Sequence, residues 1–192
     1  MLRLQRLGCH NINLVTPTHV VHAIVRALAI AAPRGLRIPL VYNCGGYESV
    51  ESLRLLEGVV DIYMPDIKYS SNDEALRYSG VKDYWERAKD AVREMHRQSG
   101  DLEIDGSGVA RRGVLVRHLV LPGDIAGTAR VLEFIARDIS RDTYVNVMDQ
   151  YRPCFKASRI PELSRTLSRS EYLQSITEAR RAGLSRGLPD WL

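Results

Sequence analysis

The chain has 192 residues, of which 45% are hydrophobic and 26% charged, with a formal net charge of +4. That length supports one domain with a real core but falls short of the ~250 residues of a closed eight-stranded (βα) barrel. No apolar stretch is long enough to span a bilayer, and the basic residues read as mixed with acids rather than interleaved with aromatics, which argues against a membrane and against nucleic acid as partner.

Residues 1–7 read as the tail of a helix, with Leu2, Leu4 and Leu7 apolar and Gly8 as its C-cap. A βα chain is not expected to open on the end of a helix. Either the preceding strand is absent, or a short cap helix stands here. The charged Met1-Leu2-Arg3-Leu4-Gln5-Arg6 has no signal-peptide pattern, so the expected location is cytoplasmic.

Five apolar runs follow, each ending in a polar or glycine-rich cluster. They are Ile12–Val15 before Thr16-Pro17-Thr18-His19, 39–42 before Asn43-Cys44-Gly45-Gly46, and 60–64 before Pro65-Asp66-Ile67-Lys68. The last two are 114–121 before Pro122-Gly123-Asp124 and Tyr144–Met148 before Asp149-Gln150-Tyr151. Helical spacing predicts helices over 18–32, 50–56, 72–98 with a break near Gly80, 128–139 and 170–182. The stripe of the first is Val21, Ile24, Val25, Leu28 and Ala32; Ser49 is the N-cap of the second. Asp105-Gly106-Ser107-Gly108 marks a turn, and 101–113 reads as a hairpin or loop inserted before the fourth strand. Residues 151–167 read as irregular and 187–192 as a loose tail. Strand, polar end, helix, repeated, indicates parallel βα units in one domain over 1–192, an α/β fold of incomplete or open barrel type. Ligands of such folds sit at the carboxyl ends of the strands, so the five clusters should converge on one site.

Asp66 and Lys68 stand two apart at a strand end and should face the same side, where they suit a polar ligand, a Schiff base on Lys68, or a structural ion pair. Arg117 interrupts the apolar run of its strand and needs an anion, either a ligand's or an internal acid such as Asp66. His118 should point to the helix side as a core histidine. Asn43, Gly45 and Gly46 allow either a close backbone approach to a ligand or a plain turn. Thr16, Thr18, Asp149 and Gln150 occupy equivalent strand ends. His19 and His22 have a metal-compatible spacing, with no third ligand near in sequence. Cys9, Cys44 and Cys154 are too dispersed for a disulfide framework, and no CxxC or CxxxC spacing occurs.

The stretches Gly8 to His19, Val59 to Tyr69 and Val116 to Gly123 resemble the radical S-adenosylmethionine (SAM) proteins related to pyruvate formate-lyase-activating enzyme. Tyr144 to Pro153 fits the same group, so the likeness covers nearly the whole chain in order. The resemblance implies an open partial (βα)6 TIM-like barrel, represented here by strands 2–6 with their helices. It also implies SAM and a 4Fe-4S cluster, reductive cleavage of SAM to a 5′-deoxyadenosyl radical, and a glycyl-radical enzyme as protein substrate. By the same resemblance Asp66 and Lys68 match the family's Asp-x-Lys that contacts SAM, and Arg117 matches an arginine that pairs with the SAM carboxylate. Asn43, Gly45 and Gly46 match a SAM loop. Thr16 stands where a Gly-Gly-Glu element is usual, and Gln150 where a histidine is usual.

The family's CxxxCxxC cluster loop does not occur in the sequence. Three thiolates on one short loop hold three irons, and dispersed cysteines do not replace them. The expectation is therefore a portion of a radical SAM protein that is inactive alone and would need a missing N-terminal segment as partner. Two alternatives stand beside it: a non-catalytic binding module using the exposed strand edge at Ile12–Val15, and a cluster-free aldolase-type lyase using Lys68.

Overall fold

A computed structural model describes residues 1–190. Helix α1 (Leu2–Arg6) is followed by β1 (Ile12–Val15), α2 (Val21–Ala31), β2 (Leu40–Cys44), α3 (Val50–Arg54) and β3 (Ile62–Pro65). Then come α4 (Asn72–Ser79), α5 (Tyr84–Ser99), β4 (Glu103–Ile104), β5 (Ala110–Leu119), α6 (Thr128–Phe134), β6 (Tyr144–Met148) and α7 (Arg169–Ala182). Among the described residues these strands form one mixed, mostly parallel sheet of an α/β fold. Strands β1, β2, β3, β5 and β6 lie side by side in chain order and run parallel, and β4 pairs antiparallel with the start of β5. The register sets Val15 beside Asn43, Asn43 beside Met64, and Arg117 between Asp66 and Asn146.

The apolar runs form strands because both of their faces are covered near their amino ends. On one face Tyr42, Tyr63, Val114, Val116, Val145 and Val147 pack against α5, α6 and α7. Trp85, Ala88, Ala91, Val92 and Met95 of α5 are all buried, as helical spacing requires. On the other face Val41 and Ile62 pack with Leu102, Leu115 and Tyr144. Further along β2, β5 and β6 this second face turns polar, at Asn43, Arg117 and Asn146. These three polar residues gather toward the carboxyl ends of the strands.

Local chemistry fixes the helix ends. Ser49 accepts the Ser52 N–H, Ser71 accepts those of Asp73 and Glu74, and Ser168 with Glu171 forms a capping box. Gly80, at φ 70°, ends α4 and separates it from α5.

Four expectations need correction. Val25 and Ala32, read as inward on α2, are exposed, and the helix buries Leu28 and Ala31 instead. The helix read over 128–139 becomes π-helical from Ile135 to Ile139. The tail is not loose as far as it is described: Arg186 accepts the Val145 N–H at 3.0 Å, Leu188 packs on the core, and Arg180 reaches the Pro189 carbonyl. Trp191 and Leu192 lie outside the described residues. Finally, acids and bases are not evenly mixed. Residues 1–47 hold five arginines and no Asp or Glu, so the chain's excess positive charge lies entirely in α1, α2 and the loop between α2 and β2.

The outer edge of β6 is occupied. The Arg186 carbonyl takes the Val145 N–H, and the Tyr172 hydroxyl donates to the Val147 carbonyl. Strand β1, at the other end of the sheet, pairs with β2 alone among the described strands. No described helix is long and apolar enough to cross a membrane.

Candidate functional site

Three strand ends bring four polar side chains together. Arg117 of β5 donates from Nε to Oδ1 of Asp66 at 2.7 Å and from Nη2 to Oδ1 of Asn43 at 2.8 Å. Lys68 donates from Nζ to the other carboxylate oxygen of Asp66 at 2.9 Å. Asp66 thus bridges two cations, and Arg117 spans from β2 to the end of β3. The arginine that interrupts an apolar strand is compensated by an internal acid, as burial of a guanidinium requires. Two cations over one carboxylate leave an excess positive charge at this point, suited to a carboxylate or another anion.

The backbone beneath the cluster is tightly made. Gly46 has φ +77°, and a Cβ built there would overlap the Asp66 carbonyl oxygen and lie 3.2 Å from its carbon. The close approach at the double glycine is therefore to Asp66 itself. Gly45 is ordinary: its Cβ would meet only Cε of Lys68, at 3.9 Å. The buried Tyr84 hydroxyl lies 3.2 Å from the Gly45 carbonyl and 3.1 Å from that of Asp66, and it accepts the Lys68 N–H at 2.8 Å. Burial pushes its ionisation well above the ordinary phenol range. Tyr84 ties the β2 and β3 ends together as a neutral post.

His118 points the other way, as its alternation with Arg117 requires. It is wholly buried. Nδ1 lies 2.7 Å from the Ile67 carbonyl, which only accepts, so Nδ1 carries the proton and Nε2 accepts from Thr128 at 3.0 Å. Burial lowers its pKa and keeps the ring neutral. The histidine anchors the residue between Asp66 and Lys68 to α6.

The ion cluster opens into a cavity of about 420 Å³. Asp66, Lys68, Arg117 and Gln150 form its polar part, and Leu119, Leu121, Met148, Tyr69, Tyr151 and Leu163 its apolar and aromatic part. Tyr151 donates to the Leu163 carbonyl at 2.7 Å, which folds the segment after β6 over the cavity. Gln150 therefore joins the site. Asp149 turns to a different hollow beside Leu167 and Tyr172, and Thr16, exposed at φ +50°, is not among the lining residues.

Glu48 carried no signal in the sequence beyond a lone acid before a helix. It is only 4% exposed, and accepts from Thr18 at 2.7 Å and from Tyr42 at 3.0 Å. Burial raises its pKa, partly offset by donors from Thr18, Tyr42 and Cys44. Thr18 thus serves Glu48 rather than the cavity.

The thiols are not brought together. Cys9 precedes β1, Cys44 is buried on β2, and Cys154 is exposed beyond β6. Burial, and then the nearby Glu48, push the Cys44 thiol far above its ordinary range, which opposes the thiolate that an iron ligand requires. Among the described residues no group of three or more His, Cys, Asp or Glu is placed to hold a metal, His19 and His22 included.

No family model matches the chain. A protein of Methanocaldococcus jannaschii, of uncharacterised function, is 33% identical over 177 residues, which are 91% of this chain and 47% of that protein. The chain spans about half the length of this relative.

Proposed function

We propose that this chain is the SAM-binding portion of a radical SAM protein related to pyruvate formate-lyase-activating enzyme, folded as part of an open (βα)6 barrel. Strand order supports the barrel reading: parallel strands in chain order with α5, α6 and α7 on one face are what a singly wound barrel segment has, whereas a doubly wound sheet reverses its order. One observation carries the binding reading. The Asn43–Arg117–Asp66–Lys68 cluster, with its excess positive charge, opens into an apolar and aromatic cavity. The cavity's volume falls within the ~300–1,000 Å³ of small-molecule sites.

The residues fit SAM. Arg117 and Lys68 would neutralise its carboxylate, Asp66 would take its ammonium or ribose hydroxyls, and the tyrosine and leucine walls would cover its adenosyl part and exclude water. SAM supplies a sulfonium–carbon bond open to reductive cleavage. The same residues do not fit a 4Fe-4S cluster, because the three cysteines sit on separate elements and one is buried and protonated. No step is derived through the cluster. An aldolase-type role for Lys68 is less favoured: its side chain is 48% exposed and ion-paired with Asp66, whereas a Schiff-base lysine is activated by desolvation.

Calorimetric titration with SAM tests the reading. Wild-type chain should bind, and Lys68→Ala should bind roughly tenfold to a hundredfold more weakly through loss of one charge-assisted contact, with its circular dichroism unchanged. No binding by the wild type, or equal affinities, would refute it. Coding DNA read in frame upstream of Met1 tests the cluster: a CxxxCxxC segment would supply the three thiolates, and a stop codon without one would leave a cluster-free protein.

A further inference from the structure

The segment that follows β6 is fixed at both ends and presents an unusual surface between them. Tyr151 donates to the Leu163 carbonyl, and Glu162 pairs with Arg77 of α4. Between these anchors the chain makes a tight turn over Phe155–Arg159. The Ala157 N–H donates to the Cys154 carbonyl, and the Ser158 hydroxyl to that of Phe155, each at 3.0 Å. Ala157 lines the cavity, so the turn borders it.

Phe155 is 88% exposed, more than any other large apolar side chain among the described residues. Its backbone is left-handed, at φ +52°, a conformation that a bulky residue rarely adopts. A strained turn thus holds an aromatic ring out in solvent. The Lys156 ammonium stands 5.6 Å from the ring centroid. Arg152, Lys156 and Arg159 are exposed as well. No acid occurs in residues 150–161. The ion pairs of this region are Arg77–Glu162 and Arg165–Glu171, and among the described residues no carboxylate pairs with Arg152, Lys156 or Arg159. Cations and aromatics interleave here, through Tyr151, Arg152, Phe155, Lys156 and Arg159, which corrects the expectation that they do so nowhere in the chain.

We infer that residues 151–159 form a docking surface for single-stranded nucleic acid, with phosphates on Arg152, Lys156 and Arg159 and a base stacked on Phe155. Guanidinium forks match phosphate oxygens, and those contacts position a strand without reading its sequence. A flat, exposed ring takes the face of any base. An acidic polypeptide would meet the same cations, but a projecting ring needs a fitted hollow in a protein partner, whereas a base needs only its face. A membrane surface suits the segment less, because Phe155 is its only large exposed apolar side chain. This inference does not rest on the reading of the cavity.

The test is anisotropy of a fluorescein-labelled single-stranded oligonucleotide of about twelve nucleotides, titrated with the full chain. It should bind saturably, and log affinity should fall against log salt with a slope of about −2, the value for three phosphate contacts on a single strand. Phe155→Ala should weaken binding roughly fivefold to a hundredfold and leave the slope unchanged, through loss of one stacked base. Arg152→Gln/Arg159→Gln should bring the slope to about −0.7. Cooperative urea transitions confirm that the variants are folded; Lys156→Gln, with a slope of about −1.4, replaces the double variant otherwise. None of these side chains lines the cavity, so SAM titration of the same variants reads the cavity separately. No saturable binding at low salt, a slope near zero, or unchanged affinity in Phe155→Ala overturns the inference. A labelled oligoglutamate of the same length that binds as tightly would name an acidic polypeptide as occupant and overturn the nucleic acid.

Discussion

Replacing Gly46 by alanine tests how the site is built. At φ +77° a residue with a Cβ pays roughly 1–2 kcal/mol for the left-handed backbone. The new methyl would also overlap the Asp66 carbonyl oxygen, which belongs to main chain and is held by Tyr84. Overpacking of that kind costs about 1–3 kcal/mol more. The sum is about 2–5 kcal/mol, or a melting temperature lower by roughly 4–20 °C in a chain of this size. Equilibrium urea unfolding at a common m-value measures it. Gly45→Ala is the internal control: its backbone is not left-handed and its Cβ meets only a lysine methylene at 3.9 Å, so its effect should stay within about 1 kcal/mol. If Gly46→Ala falls within 1 kcal/mol of wild type, or the Gly45 variant is equally damaging, the packing of the double glycine against Asp66 is wrong.

Two further predictions concern pH, and their signs oppose. Glu48 has a folded pKa raised by burial, so the folded chain binds more protons than the unfolded one above the ordinary carboxylate value of 4.5. Its contribution is present below that value and is lost as pH rises through the folded pKa. Glu48→Gln should therefore lose less stability than wild type between pH 4.5 and 7.5 in urea titrations, and parallel profiles would contradict this. His118 is the reverse case. Its pKa is lowered by burial, so the folded ring stays neutral and stability is lost as pH falls below the ordinary value of 6.5. Its ring resonances in an NMR titration should show a midpoint below 6.5, and a midpoint at or above 6.5 would refute the neutral anchor.

What the sequence made legible follows from burial. Strands β2, β3, β5 and β6 were readable because both faces are covered near their amino ends, which writes a continuous apolar run. That Arg117 needs an anion was readable because a charge inside such a run demands a partner, but whether Asp66 or a ligand supplies it was not, since the two stand 51 residues apart. Helix α2 misled for the opposite reason: where nearly every residue is apolar, no periodicity separates the face that meets the sheet from the faces that do not. Glu48 and Tyr84 left no local trace, since each acts on residues far away in the chain. Gly46 was legible as a glycine but not as the residue that must yield to the Asp66 carbonyl, because that contact exists only between neighbouring strands.

The closure of β6 has a consequence for assembly. Copies that joined head to tail, the β1 of one against the β6 of the next, would propagate without limit into fibres. The Arg186 carbonyl and the Tyr172 hydroxyl already hold the Val145 N–H and the Val147 carbonyl, two of the groups that such a step would use, so growth in that direction is hindered. A mutation that peeled residues 184–190 away from β6 would uncover the Val145 N–H and lay that edge open to pairing.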